Sequence, residues 1–236
     1  MSRLVCPRSR STAVPIPSRT PQIQDFYQSY LNDQDTAEFV RKVAQRYTVG
    51  TLERLTGHGR REVRRGAALA LGLLADYASN AALGRCLTDE DRIVRTIAEN
   101  GIRSLWRRPG SEPIRQRLAK LIRYNSTTRY KEAVRAATQL IEDAPQCAEA
   151  WNQRAVAYYN LGRFTDSIND CHQALEINPY HFDAATGMGQ CYLQLGDPLA
   201  ALECFKRALR LNPGLEGVRA GAVYLERTLK KKGDLS

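Results

Sequence analysis

Apolar residues recur at helical intervals along most of the chain, and in its second half the pattern itself repeats. "ALEINP" at 174–179 returns as "ALRLNP" at 208–213, and the same interval of 34 residues separates Leu161-Gly162 from Leu195-Gly196 and Pro179 from Pro213. Within one period Trp151, Ala155 and Tyr158 stand at i, i+4 and i+7, one face of a helix. Leu161-Gly162 ends that helix, and Ser167, Cys171 and Ala174 form the facing stripe of a second, so each period predicts a helix hairpin. One step back from Pro179 lands on Pro145, after "RYKEAVRAATQLIEDAP", where Tyr130, Ala133, Ala137 and Leu140 occupy the second-helix positions of a degenerate copy that begins near Ile114. Pro113 suits the first turn of its first helix. One step forward, "GLEGVRAGAVYLERTLKKKG" predicts a single amphipathic helix ending in lysines, a solvating cap on an open apolar face.

A different period precedes this one. "EVRRGAALALGLL" at 62–74 aligns with "IVRTIAENGIRSL" at 93–105 at an offset of 31, which Leu52 and Leu83 also obey, and two antiparallel helix pairs follow. Before them "FYQSYL" and "DTAEFVRKVAQRY" supply further apolar helical faces, the latter with Asp35 or Thr36 as N-cap. "RRPGSEP" at 107–113 interrupts helix between the two periods.

The 34-residue period, with its W…L-G…Y…A…F…A…P skeleton, resembles the tetratricopeptide repeat. The copy from 182 matches it in Gly189, Tyr192, Ala201, Phe205, Ala208 and Pro213, whereas in the copy before it Ser167 and Cys171 replace the usual alanine and phenylalanine. "LTDEDRIVRTIA" resembles the turn of a HEAT-like repeat. Together these resemblances imply an all-α, right-handed α-solenoid of helix hairpins. They assign 1–24 to a disordered basic tail and 25–108 to HEAT-like repeats with N-terminal capping helices. The remainder, 111–236, becomes three tetratricopeptide repeats (114–147, 148–181, 182–215) with a C-terminal cap.

In such arrays the first helices line a concave groove. The resemblance places Asn152, Val156 and Tyr159 there, then Thr186, Gln190 and Leu193, with Leu118, Ile122 and Asn125 before them and Ala220, Tyr224 and Arg227 in the cap. Tyr158 is expected in the core by its spacing from Trp151, which turns Tyr159 about 100° away towards the groove. Chaperone-binding members hold a C-terminal carboxylate with groove lysines and arginines; Asn152, Val156, Thr186 and Gln190 stand at those positions here, so that clamp is not carried over.

Composition narrows the function classes. The chain has 236 residues and a net charge of +10. No run of about 18 apolar residues suggests a membrane span. The six cysteines lie far apart without a C-x-x-C pair, which argues for reduced thiols and a cytoplasmic setting. The tail carries four arginines and no acid, like an organellar transit peptide, but its four prolines break the amphipathic helix that such a peptide needs.

Chemistry is sparse. Gly187 and Gly189 lack a following G-K-[ST], so they read as packing glycines. His58, His172 and His181 lack metal-site spacing and read as surface or turn residues, and Cys171, Cys191 and Cys204 as small buried groups. No G-x-S-x-G elbow occurs. The expectation is therefore a non-catalytic adaptor or scaffold that binds a protein or peptide segment in the groove, with no cofactor, metal, membrane or small-molecule substrate. The competing reading is a nucleic-acid-binding helical repeat protein that uses the cluster at 60–65, in which Arg60, Arg61 and Arg65 form an anionic-partner patch while Arg64, like Arg95, belongs to an inter-repeat ladder.

Overall fold

The computed structural model describes residues 20–232. Among them are thirteen α-helices and one short 3-10 turn, and no strand. Helices α1 (Ile23–Asp33), α2 (Thr36–Arg46), α3 (Val49–Leu55), α4 (Arg61–Leu74), α5 (Asn80–Cys86) and α6 (Arg92–Trp106) form the N-terminal array. The C-terminal array stacks three hairpins: α7 (Glu112–Ser126) with α8 (Tyr130–Asp143), α9 (Ala148–Asn160) with α10 (Phe164–Ile177), and α11 (Phe182–Gln194) with α12 (Pro198–Leu211). Helix α13 (Glu216–Lys232) closes the stack. The basic-tail reading of residues 1–19 lies outside the described residues. Its last two positions are corrected: Ile23 and Gln24 begin α1, because Ile23 is fully buried against Gly66.

Helix starts follow their caps. Asp35 accepts from the Glu38 N–H at 2.9 Å, and Asp91 accepts from Val94 N–H at 3.0 Å, each satisfying an orphan donor of the first turn. In the N-terminal array α4 and α6 cross in backbone contact. A Cβ on Gly72 would lie 2.8 Å from the Gly101 Cα, so only glycine permits the approach. The 31-residue offset also governs polar contacts. Arg64 Nη1 donates to the carbonyls of His58 and Gly59 at 3.0 and 3.3 Å, and Arg95 Nη1 donates to those of Asp89 and Glu90 at 2.7 and 3.1 Å. Arg64 further clasps Asp89 through two bonds of 2.8 and 3.0 Å, and so joins one unit to the turn of the next.

In the C-terminal array the turn after each first helix needs a left-handed residue. Gly162 and Gly196 supply it at φ +75° and +77°, and Thr128, 34 residues before Gly162, is forced to φ +57°. Side-chain sizes compensate across hairpins: Gly189 admits the Phe205 ring, which a Cβ would meet at 2.4 Å, while the preceding unit pairs Ala155 with the smaller Cys171 in one core cluster. Asn178 and Asn212, both fully buried, cap their loops by accepting from Tyr180 and Gly214 N–H.

The two arrays share a buried seam. Phe182, at the start of α11, belongs to the hydrophobic cluster of the N-terminal array together with Leu83, Ile102 and Trp106. The Trp106 ring stacks on the His181 imidazole at 4.1 Å between centroids, and its indole N–H donates to Asn80 Oδ1 at 2.8 Å. Asn80 Nδ2 in turn donates to Asn178 Oδ1 at 2.8 Å. Above this chain Arg103 grips Asp183 with two bonds of 3.0 and 2.8 Å and lies over the Phe182 ring. His181 is therefore neither a surface residue nor a simple turn residue. It is fully buried, its Nδ1 accepts from Ala184 N–H, and its Nε2 consequently carries the proton donated to Glu149 at 3.0 Å.

Candidate functional site

Helices α9 and α11 present their polar faces side by side, and α6 of the other array stands against them. Between the three lies a cleft of about 400 Å³. Asn152, Val156 and Tyr159 line it from α9, Thr186, Gly187 and Gln190 from α11, and Arg103, Trp106 and Arg107 from α6. Asn152, Val156, Tyr159, Thr186 and Gln190 were expected in the groove by resemblance; Gly187, read as a packing glycine, was not, and neither was the α6 wall, because no periodicity connects residues 103–107 to residue 183.

The floor is polar but satisfied. Buried Glu149 accepts from His181 and from Gln153 Nε2 at 2.7 Å, with Asn152 Nδ2 at 3.5 Å. Thr186 Oγ1 turns back to the Phe182 carbonyl at 2.9 Å. Ser167 donates to the Ala155 carbonyl and receives the Cys191 thiol, and burial pushes the Cys171 thiol far above its ordinary range, so neither sulfur is poised as a nucleophile. Of the charges on the wall, Arg103 is committed: its hydrogen bond to Asp183 raises its pKa and Glu99 holds it from the other side. Arg107 is exposed and has no side-chain partner among the described residues. What the cleft offers a ligand is thus the Gln190 amide, the exposed Val156 edge, the Tyr159 ring and the Arg107 guanidinium.

The remaining groove positions are spread out. Asn125 Nδ2 donates to the Gln153 carbonyl and Oε1, both at 2.8 Å, and so sits behind a cleft-lining residue without lining the cleft itself. Leu193, Tyr224 and Arg227 are exposed beyond its other end, Tyr224 at 69%. Leu118, by resemblance a groove residue, is fully buried with Leu121 and Ala133. The tyrosine pair differs from expectation. Tyr158 is only half-buried, with the guanidinium groups of Arg154 and Arg163 over its ring, because small Ala157 takes the core position. Tyr159 does line the cleft, but it also packs edge-on to Phe164 at 5.6 Å.

The cluster at 60–65 does not assemble a set of free cations. Arg65 is half-buried and paired to Asp91 through bonds of 2.9 and 2.6 Å, because the acidic turn before α6 folds onto it. Arg61 lies on Glu62 at 2.9 Å, and Arg60 reaches Thr20 Oγ1 at 2.7 Å; both are exposed. Among the described residues no group of three or more His, Cys, Asp or Glu is arranged to hold a metal ion, and no helix is long and apolar enough to cross a membrane.

Comparison with known proteins reaches part of the C-terminal array. Residues 146–213 match the family model for the tetratricopeptide repeat. The human protein "DnaJ homolog subfamily C member 7" is 32% identical over 89 residues, which are 38% of this chain and 18% of that protein. The Triticum aestivum "Hsp70-Hsp90 organizing protein" is 28% identical over 96 residues, 41% of this chain and 16% of the relative. A TPR repeat-containing protein of Rhizobium etli is 29% identical over 114 residues, 48% of this chain and 56% of its own. The chain thus spans between about a sixth and about half of these relatives' lengths. A solved first TPR domain of Spaghetti (RPAP3), bound to an HSP90 peptide, superposes with a TM-score of 0.49 at 22% identity, covering 51% of this chain and 96% of that one.

Proposed function

We propose that the protein is a non-catalytic interaction adaptor that takes a polypeptide segment in the cleft between α9, α11 and α6. The carrying observation is the composite wall. Two repeat helices supply an amide, an aliphatic edge and a tyrosine, and the other array supplies an unpaired guanidinium at the mouth. Such a surface suits an extended segment whose backbone bonds the amide, whose apolar side chain covers Val156 and Tyr159, and which bears negative charge towards Arg107. The Hsp70-Hsp90 organizing protein and the RPAP3 domain bound to an HSP90 peptide are named for protein partners, which supports this class of function. As part of the same reading, α3–α6 are a HEAT-like pair of hairpins that brace the cleft, and residues 111–236 are the tetratricopeptide unit.

A displayed peptide library selected on the protein tests this. Affinities of the selected peptides are then measured against Val156→Arg, Gln190→Ala and Arg107→Ala. Each variant is expected to weaken binding about tenfold or more, the range of an interface anchor. Unchanged affinities across all three would place the working surface elsewhere.

A further inference from the structure

Of the cations expected at 60–65, Arg65 is held by Asp91 and only Arg60 and Arg61 stay exposed; a larger basic surface exists on the first hairpin of the C-terminal array. On α7, Arg117, Lys120, Arg123 and Tyr124 lie round the helix from Leu118, Ile122 and Asn125, on its far side at about 100° per residue. Arg135 joins them from α8 and Arg129 from the turn. Two shallow grooves of about 260 and 340 Å³ run through this surface, and Lys120 and Tyr124 line both. The Tyr124 ring is flanked by Lys120 Nζ at 5.7 Å and by the Arg129 guanidinium at 4.7 Å.

Its charge is mostly unspent. Arg117 is tied to Asp143 at 2.7 Å and Arg129 to Glu132 at 3.0 Å, both as exposed pairs that solvent weakens. Lys120, Arg123 and Arg135 are exposed and have no acidic partner among the described residues. Equally informative is what the surface lacks. The large exposed apolar residues of the described chain, such as Leu31, Ile93, Val156, Leu193 and Tyr224, lie on other helices. A polypeptide partner, whose affinity rests on a cluster of desolvated anchors, would find no large exposed aliphatic residue here beside the single Tyr124 ring. A cationic track around one part-exposed aromatic ring, which a base can reach by displacing the exposed Arg129 or Lys120 side chain, is instead what a single-stranded polyphosphate backbone with bases requires. The cations track phosphates at helical i, i+3 spacing, and the ring stacks a base regardless of its identity.

We propose that the α7–α8 surface centred on Tyr124 binds single-stranded nucleic acid, separately from the peptide cleft. Fluorescence anisotropy of the full chain with a labelled oligouridylate of about a dozen residues, titrated between about 50 and about 200 mM salt, tests it. Three free cations predict a log–log salt slope of about −2, hence about a 16-fold weakening over that range. Lys120→Ala, Arg123→Ala and Arg135→Ala combined should bring the slope close to zero and cost at least tenfold in affinity at the lower salt. Tyr124→Leu should cost about tenfold and leave the slope unchanged, because stacking is not an ionic contact.

Oligouridylate binding indifferent to the triple variant overturns the proposal, as does loss of binding with Arg60→Ala and Arg61→Ala while the α7–α8 variants retain it. Polyglutamate of equal charge that binds as tightly, and is likewise indifferent to Tyr124→Leu, would make this a polypeptide surface instead. Circular dichroism accompanies each variant. Should Tyr124→Leu unfold the hairpin, the triple variant, which alters exposed side chains only, decides alone.

Discussion

Gly84→Ala tests whether the two arrays are one packed body, because the sign of its effect depends on the seam. Gly84 lies inside α5, where alanine is the better helix former by about 1 kcal/mol, so an N-terminal array merely tethered to its neighbour would gain stability. Across the seam, however, the added Cβ would stand 2.3, 2.5 and 2.7 Å from Cδ1, Cγ and Cε1 of Tyr180. Three ring atoms inside any tolerated contact, one of them at the root of the ring, cannot be cleared by a small rotation. Overpacking of this severity costs about 3 kcal/mol. The net expectation is a loss of about 2 kcal/mol.

A double-mutant cycle isolates the contact. With Tyr180→Ala as background the clash is absent, and Gly84→Ala should stabilise by its propensity alone. The coupling between the two substitutions is then about 3 kcal/mol. Urea unfolding monitored by helical ellipticity measures it as a shift of midpoint at constant slope. Gly84→Ala that stabilises with Tyr180 present, or that has the same effect in both backgrounds, would refute the packed seam.

Three further outcomes are expected. The Arg65 hydrogen bond, with the Val94 and Ile93 N–H groups of the helix cap, holds the Asp91 carboxyl at about 2 against an ordinary 3.8, so these native contacts of the carboxylate together contribute about 2 kcal/mol above about pH 4 that is lost as pH falls through about 2; Asp91→Asn, which keeps a capping side chain, should flatten the acid-unfolding limb in that window. Thr128→Gly removes the strain of a β-branched residue at φ +57° and should raise stability by about 1 kcal/mol in thermal melts, and a loss would mean that the turn is not left-handed. Burial raises the thiol pKa of Cys86 and Cys147 to about 11 each and that of Cys171 further, so mass-resolved alkylation of the native protein at mild alkaline pH should modify half-exposed Cys204 before these three, whereas equal rates would contradict their burial.

The hairpins were legible because each is a local consequence of period. Leu161-Gly162 and Leu195-Gly196 mark helix ends that need a left-handed residue, and the glycines at 162 and 196 adopt it. Asn152, Val156, Tyr159, Thr186 and Gln190 were reached through the resemblance that the 34-residue period carries, whereas Gly187 was read as packing and Leu193, also expected, lies outside the cleft. The α6 wall and the seam obey no period. They rest on single polar contacts between residues far apart in sequence, Asn80 with Asn178 and Arg103 with Asp183, and each partner alone looks like an ordinary surface residue. His181 illustrates the limit. Without a metal-site neighbour in sequence it reads as a turn histidine, and only the arrival of Trp106 and Glu149 from elsewhere makes it a buried hinge of the network. The patch at 60–65 shows the converse: Arg64 takes the ladder position expected of it, but nothing local announces that the acidic turn at 89–91 folds onto Arg65 as well and leaves only Arg60 and Arg61 of the three patch residues exposed.

The seam also changes what the cleft is. Repeat helices alone would present Val156, Tyr159 and Gln190 on an open concave face, and α6 converts that face into a cleft with a wall. The wall is held in place by the same contacts that dock the arrays, since Arg103 grips Asp183 on α11 and Trp106 stacks on His181, the N-cap of that helix. A ligand that touches both Gln190 and Arg107 therefore binds only the docked arrangement, and by linkage it must stabilise docking by as much as docking strengthens its binding. For a ligand of that kind, recognition and the union of the two arrays would be a single equilibrium. On the proposed reading the N-terminal array would thus share in binding, although its own surface, with Arg64 and Arg65 already committed to Asp89 and Asp91, does not advertise it.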